Sequence, residues 1–293
     1  MMVNRENAPS KTNFLPKVSV VSVSYQSKEV AETTLQSILK LNYPNLEIIV
    51  VDNCSSDGTF EILSKYSSKI NCQIIEKDKG PYDAMNKAIK ACTGDWIWFM
   101  NMGDSVPENP NLLDEIFIEP INEITLVLYG NTRVFRGKLV YRKYFNQNIK
   151  RNFKHGILSL NHQATLIRRN AFDLNGLYQF VNCPLKADAL WFTKLFYQRG
   201  GKAFQYLHKE MAFYNEEGQS SSKSNFAKMI AEDRFILSKY GSIFNKLQLE
   251  IHSIILKFRV WILIRMEKNE SLYKLYRRVK FRNSKTIKNM PQE

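Results

Sequence analysis

The sequence predicts a mostly parallel α/β sheet flanked by helices, followed by a helical extension. Three observations carry that prediction. The runs 18–25, 46–51 and 96–100 are apolar or β-branched along their whole length, as expected of strands covered on both faces. Segments with helical spacing of apolar residues separate them, and such alternation builds parallel sheets through right-handed crossovers. Each run also ends in a polar turn rich in Asp, Asn, Ser or Gly.

Lys17 opens the first strand, VSVVSVSY. A helix follows over 29–41, with Val30, Leu35, Ile38, Leu39 and Leu41 spaced for one face, and Asn42-Tyr-Pro-Asn45 stops it. The second strand, 46–51, runs into Asp52-Asn-Cys-Ser-Ser-Asp-Gly58, where Asp57 or a neighbouring Ser caps a helix over 59–66. A shorter strand is predicted over 72–76. The stretch DKGPYDAMNKAIKACTGDWIWFMNMGD, 78–104, then supplies a glycine turn, a helix with an acidic start, a buried strand and a Gly-Asp tip. Beyond it the pattern loosens to a helix over 109–117, strands over 126–129 and 138–144 around Gly137, and a strand over 164–167. A helix over 186–197 turns Leu190, Trp191, Leu195 and Phe196 inward and has Asp188 in its first turn. A strand over 203–207 and a helix over 225–239 complete this part.

In an open α/β sheet, ligands bind at the carboxyl ends of the strands. Here those ends carry Ser24-Tyr25, Asp52-Asn53, the 77–83 turn and Asp104. No GxGxxG follows the first strand and no GxxxxGKS or GxxxxGKT occurs, so the rim lacks a dinucleotide or P-loop phosphate cradle. A cation held by carboxylate is the usual substitute. Asp104 is placed to hold one, although a Gly-Asp turn that only ends a strand has the same spacing.

The chain has 293 residues, 44% hydrophobic, enough for one large domain with an appendage. Cys54, Cys72, Cys92 and Cys183 show no paired spacing, which points to reduced thiols in a cytosolic setting. Nor do His155, His162, His208 and His252 have metal-ligand spacing. The polar start MMVNRENAPSKTNFLP lacks the apolar core of a signal peptide. The formal charge is +14, and from Ile251 onward eleven Lys/Arg against three Glu supply +8 of it. No nucleic-acid motif accompanies this excess, so nucleic acid is not the expected partner. From Lys246 the residues Leu247, Ile251, Ile254, Ile255, Phe258 and Ile262 follow helical spacing, interrupted by Lys257, Arg259 and Arg265. A second stripe, Leu272, Leu275, Tyr276 and Val279, runs beside Lys274, Arg277, Arg278 and Lys280. Basic amphipathic helices of this kind lie on anionic membrane surfaces, each basic residue contributing about 1 kcal/mol. The same pattern would also serve a helix pair packed on the domain with a solvated basic face.

VSVVSVSYQ, IIVVDNCSSDGT, DKGPYDAMNKAI and GDWIWFMNMGD, in that order, resemble the family 2 glycosyltransferases of GT-A fold. The likeness is greatest to the bacterial branch that builds capsule, exopolysaccharide and O-antigen. It is close over 17–105, looser over 160–215, and absent from the tail. The resemblance implies sugar transfer from a nucleotide-sugar, UDP-linked and with inversion, by a hexosyl- or N-acetylhexosaminyltransferase assisted by Mg²⁺ or Mn²⁺. It implies a lipid-linked or oligosaccharide acceptor; the basic tail adds the expectation of a cytoplasmic protein peripheral on the inner membrane face, held to an anionic surface. With the tail read from its charge and spacing, the chain is expected to divide into a flexible N-terminus 1–16, a catalytic domain 17–240 (nucleotide half 17–105, acceptor half 106–240) and the basic amphipathic helical tail 241–293.

Residue by residue, the resemblance places Ser24, Tyr25, Asp52, Lys79 and Asp83 on the donor and Asp104 on the metal and donor diphosphate. It places His162 and Gln163 on the acceptor side, and Asp188 in the element that supplies the general base. Gly103 stands where the family often has a first metal-motif carboxylate, and Leu190 where it has the second Asp of the base element. Two acids lost also fit a catalytically silent nucleotide-sugar-binding or scaffold subunit. Taken alone, Asp52 reads equally as a turn-forming residue, Asp188 as a helix-start carboxylate and Lys79 as a solvated lysine.

Overall fold

The computed structural model describes residues 15–136, 139–215 and 225–267. The chain begins β1 (Val18–Ser24), α1 (Lys28–Leu39), β2 (Leu46–Asp52), α2 (Thr59–Lys65), β3 (Cys72–Ile75), α3 (Pro81–Ala91) and β4 (Trp96–Phe99). It continues through α4 (Leu112–Phe117), β5 (Val127–Arg136), β6 (Leu139–Lys143), the two-residue strands β7 (Phe153–Lys154) and β8 (Ile157–Leu158), and β9 (Thr165–Arg168). It then runs through α5 (Asn170–Asn175), α6 (Ala187–Arg199), β10 (Phe204–Asn215), α7 (Phe226–Tyr240) and α8 (Ile243–Glu267).

Eight strands form one sheet, in the order β10-β5-β9-β4-β1-β2-β3, with β6 pairing β5 beyond the end of β9, on the edge opposite β10. Parallel pairing joins β1 to β2 and β4, β2 to β3, and β5 to β10. β9 is antiparallel to both β4 and β5, so the sheet is parallel in two blocks joined by one reversed strand. The strand predicted over 203–207 extends to Asn215 because register shifts between Tyr206 and Ala212 let β10 bend and keep pairing with β5.

Both faces of the sheet are covered, which explains the unbroken apolar runs. Val21, Val23, Ile97 and Phe99 pack with α3, α5, α6 and α7; Val18, Val20, Trp96 and Trp98 pack with α1 and α4. Trp98 is fully buried and its indole N–H donates to the Gln163 carbonyl at 2.7 Å. The core strand therefore fixes the segment that carries His162 and Gln163. At the opposite end of the sheet, Glu47 is buried and accepts from Ser19, Thr93 and Lys17. Asp57 caps two helices, accepting from the Thr59 N–H of α2 and the Lys28 N–H of α1, each at 3.0 Å.

α8 rests on the body through Leu249 and Ser253, both buried, through a two-bond fork from Arg234 to Glu250, and through the His155 and His252 rings, 4.7 Å apart. Its other face carries Ile243, Leu247, Ile251, Ile254 and Phe258, each half or more exposed. No helix among the described residues is long and apolar enough to cross a membrane. Residues 1–14, and with them most of the expected N-terminal segment, lie outside the described residues, as does the stripe from Leu272 to Val279.

Candidate active site

The strand ends converge as the sequence requires. Ser24 is the register partner of Asp52. The Asn53 N–H donates to the Ser24 carbonyl at 3.0 Å, and the Asn53 side-chain oxygen accepts from the Asp78 N–H at 2.9 Å. The Met102 N–H donates to the Val23 carbonyl at 3.1 Å, which brings the Gly-Asp tip to the same edge. Gly103 has φ +99°, a left-handed conformation that an Asp adopts only with strain, so backbone shape favours glycine there.

The donor-side residues differ in availability. Tyr25 and Lys79 are exposed. The Ser24 hydroxyl is buried and has no hydrogen-bond partner among the described residues. Asp52 is buried; its two oxygens take the Ser55 N–H and O–H, both at 2.7 Å, so it does form the turn. Asp83 accepts from the Lys79 N–H at 2.9 Å and Asp78 from the Gly80 N–H at 2.8 Å, which closes the turn ahead of α3.

Asp104 is turned under the rim, not out into solvent. It is 8% exposed, and its Oδ2 accepts from Gln163 Nε2 at 3.2 Å. Thr34 of α1 fixes the backbone, donating to the Asp104 carbonyl at 2.7 Å while accepting from the Gly103 N–H at 3.0 Å. Burial pushes the Asp104 carboxyl up to about 7, against the opposing pull of His162 and Gln163. A carboxylate this costly to ionise calls for a proton or a cation. Among the described residues no cluster of three or more His, Cys, Asp or Glu side chains could hold a metal alone. A single carboxylate fits a cation whose remaining ligands are phosphate oxygens and water, as is common for Mg²⁺.

Asp188 is the centre of the acceptor side. It lies in the first turn of α6 and accepts from Tyr82 Oη at 2.8 Å, from His162 Nδ1 at 2.9 Å and from the Ala189 N–H at 2.8 Å. Burial alone would raise its pKa; the hydrogen bond and electrostatic pull of His162, then the hydrogen bonds from Tyr82 and the Ala189 N–H, outweigh burial and hold it below the usual carboxylate value. With Nδ1 donating to Asp188, His162 Nε2 is free to accept from Asn101 Nδ2, 3.3 Å away. The Asn101 side-chain oxygen is buried and has no hydrogen-bond partner among the described residues. Leu190 is packed in the apolar core with Trp191 and Phe192, so an acid there would be buried among hydrocarbon.

The structure thus joins Asp104 to Gln163, and Asp188 to His162, from chain segments far apart in sequence. It adds Tyr82 and Asn101 to the site. Both lie in segments with a clear motif character, but no spacing in the sequence links them to Asp188.

The mostly parallel sheet flanked by helices, with Asp52 and Asp104 at its carboxyl edge, is GT-A-like. The chain belongs to glycosyl transferase family 2, whose profile matches residues 19–174, more than half of it. Over 96 residues, 32% of the chain, it is 36% identical to a Bacillus subtilis protein assigned to teichuronic acid biosynthesis as the glycosyltransferase TuaG. That match spans only 38% of the relative's length. S. aureus TarS 1-349, solved with UDP-GlcNAc, superposes with a TM-score of 0.57 at 20% identity, covering 80% of this chain and 70% of that one. The mannosyltransferase PcManGT from Pyrobaculum calidifontis, solved with GDP-Man and Mn²⁺, gives a TM-score of 0.57 at 14% identity over 90% of this chain and 83% of that one. At such identities these two structures speak to the fold.

Proposed function

We propose that the protein transfers a sugar from a nucleotide-diphosphate sugar, UDP-linked, to a lipid-linked or growing polysaccharide acceptor, with inversion, in bacterial surface polysaccharide synthesis. One observation carries the reading: a buried carboxylate charged only at a cost, Asp104, and a carboxylate held ionised, Asp188, stand at one sheet edge beside two buried polar atoms without partners among the described residues, Ser24 Oγ and Asn101 Oδ1. Perturbed acids and unsatisfied polar atoms in one place are what a ligand site offers. The TuaG likeness supports a cell-surface polysaccharide as the product, and the UDP-sugar in the TarS structure supports a UDP donor.

Ser24, Tyr25 and Asp52 receive the nucleotide, and Lys79 and Asp83 flank the diphosphate. Asp104 would hold a divalent cation, which when bound supplies positive charge to the departing phosphate oxygens. Three of the roughly four lone-pair sites of Asp188 are occupied, which leaves one for the acceptor hydroxyl. As the new bond forms from that oxygen to the anomeric carbon, the bond to the diphosphate breaks and the proton passes to Asp188. A base so placed contributes roughly 10²–10⁴ in rate. His162 holds the base and Gln163 holds Asp104, so the acceptor-side segment serves both carboxylates. Catalysis then occupies residues 17–240, with both halves, 17–105 and 106–240, contributing.

The tail, 241–293, places the enzyme on the cytoplasmic face of an anionic membrane. The exposed apolar face of α8 and the +8 charge from Ile251 onward support this placement. Gly103, suited to its left-handed backbone, and Leu190, packed in the core, support a working site over a catalytically silent nucleotide-sugar-binding or scaffold subunit.

A thermal-shift titration with UDP and Mn²⁺ tests the site. Binding to the native state raises the melting temperature, by about 2.7 kcal/mol of stabilisation at a hundredfold excess over Kd. Asp104→Ala removes the Mn²⁺-dependent part. A melting temperature unmoved by UDP with Mn²⁺ would overturn the proposal.

A further inference from the structure

We propose that Tyr82 is a positioning residue for Asp188, a hydroxyl on the donor-side helix that keeps the acceptor-side carboxylate oriented and ionised. The inference rests on the reading of Asp188 as the base.

The geometry is specific. A phenol has one proton to give, and Tyr82 Oη lies 2.8 Å from Asp188 Oδ1 but 3.3 Å from the Leu185 carbonyl, so the shorter bond goes to the charged acceptor. The ring cannot swing away. Tyr82 is buried, packs against Tyr178 with ring centroids 5.4 Å apart, and sits one turn before Asn86, which exchanges two 2.9 Å hydrogen bonds with the Tyr178 backbone. The hydroxyl is therefore a fixed donor that Asp188 must face.

The surroundings offer Asp188 little else. His162, on the turn before β9, takes Oδ2. Tyr178, on the segment before α6, has a buried hydroxyl with no hydrogen-bond partner among the described residues. Lys186 is turned to Asp233 of α7 at 2.6 Å, and Glu232 of α7 accepts the Leu185 N–H; among the described residues no lysine or arginine is paired with Asp188. A carboxylate only 15% exposed depends on its donors, Tyr82 Oη among them, to remain charged. Loss of the Tyr82 hydroxyl should return Asp188 toward the raised pKa that burial favours. The fraction ready to take a proton at neutral pH would fall, and so would its precision of aim.

The test compares Tyr82→Phe with Tyr178→Phe, each removing one hydroxyl from the same aromatic cluster and keeping the ring. In full-length protein labelled with ¹³C at Asp carboxyls, the Asp188 resonance is identified by its loss in Asp188→Asn and titrated with pH. The midpoint should move upward in Tyr82→Phe and stay in place in Tyr178→Phe. With whichever nucleotide-sugar the chain turns over, kcat of Tyr82→Phe should fall roughly tenfold, with the donor KM within about twofold and the acid limb of kcat displaced to higher pH. Turnover with an unshifted titration, or an equal shift in Tyr178→Phe, overturns the role of Tyr82 and leaves the transferase standing. A shifted titration without turnover of any nucleotide-sugar overturns both.

Discussion

His162 and Asp188 are bonded Nδ1 to Oδ2 at 2.9 Å, and each side chain is only 15% exposed. The bond ties the turn that carries Gln163, the partner of Asp104, to the helix that carries the base. Asp188→Asn keeps the shape and loses the proton acceptor. It should lower kcat by roughly 10²–10⁴ and leave the thermal shift with UDP and Mn²⁺ intact, as steady-state kinetics and melting will show. His162→Ala should act in the same direction on kcat, because it leaves Asp188 Oδ2 without its donor.

The far end of the sheet sets acid stability. Burial would raise the Glu47 carboxyl, but donors from Ser19, Thr93 and Lys17 prevail and hold it at about 2, against 4.5 for the free side chain. A depressed folded-state pKa gives stability that is complete above the unfolded value and is lost as pH falls toward the folded one. Wild-type protein should therefore lose stability between about pH 4.5 and pH 2 through this group. Glu47→Gln should melt lower than wild type at pH 7, with the gap closing in acid.

Gly94 permits the close approach of two backbones. A Cβ there would lie 2.5 Å from Ser19 Oγ, 2.7 Å from Ser19 N and 2.9 Å from the Lys17 carbonyl. Two of these are backbone atoms that cannot step aside. Gly94→Ala should destabilise by about 1–3 kcal/mol in urea unfolding. At Gly80, where a Cβ would meet nothing within 4 Å, the cost of substitution should come from φ +122° alone.

The face of α8 formed by Ile243, Leu247, Ile251, Ile254 and Phe258 should insert at a lipid surface. Full-length protein should sediment with vesicles containing anionic lipid, less so in high salt. Ile251→Asp with Ile254→Asp should abolish sedimentation while the melting temperature holds. Equal sedimentation of wild type and variant would remove the membrane assignment.

Most of the fold could be read from the sequence because each element through β4 follows a local pattern: strands of uninterrupted apolar residues, and helices bounded by Pro, Gly and Asp. Ser24, Asp52 and the Gly-Asp tip could be placed on one edge because strand direction alone puts them there. The reversed strand β9 could not be foreseen. Its segment reads as an apolar strand in either direction, and its slot between β4 and β5 is decided by packing between parts of the chain some 70 residues apart. Asp104 read as a rim carboxylate, but whether its side chain faces solvent or Gln163 depends on where residues 162–163 dock. The Tyr82–Asp188 bond spans 106 residues and leaves no periodic trace. Asp57 read as a cap for α2, but its second cap on α1 requires the two helix starts to meet in space.

The central claim is that Asp104 supports departure of a nucleoside diphosphate from an activated sugar. Screening a panel of nucleotide-sugars with Mn²⁺ for release of nucleoside diphosphate tests it most directly. The expected result is release from a UDP-sugar, at least about a hundredfold slower in a folded Asp104→Ala variant. Full activity in that variant, or no release from any member of the panel, would contradict the account.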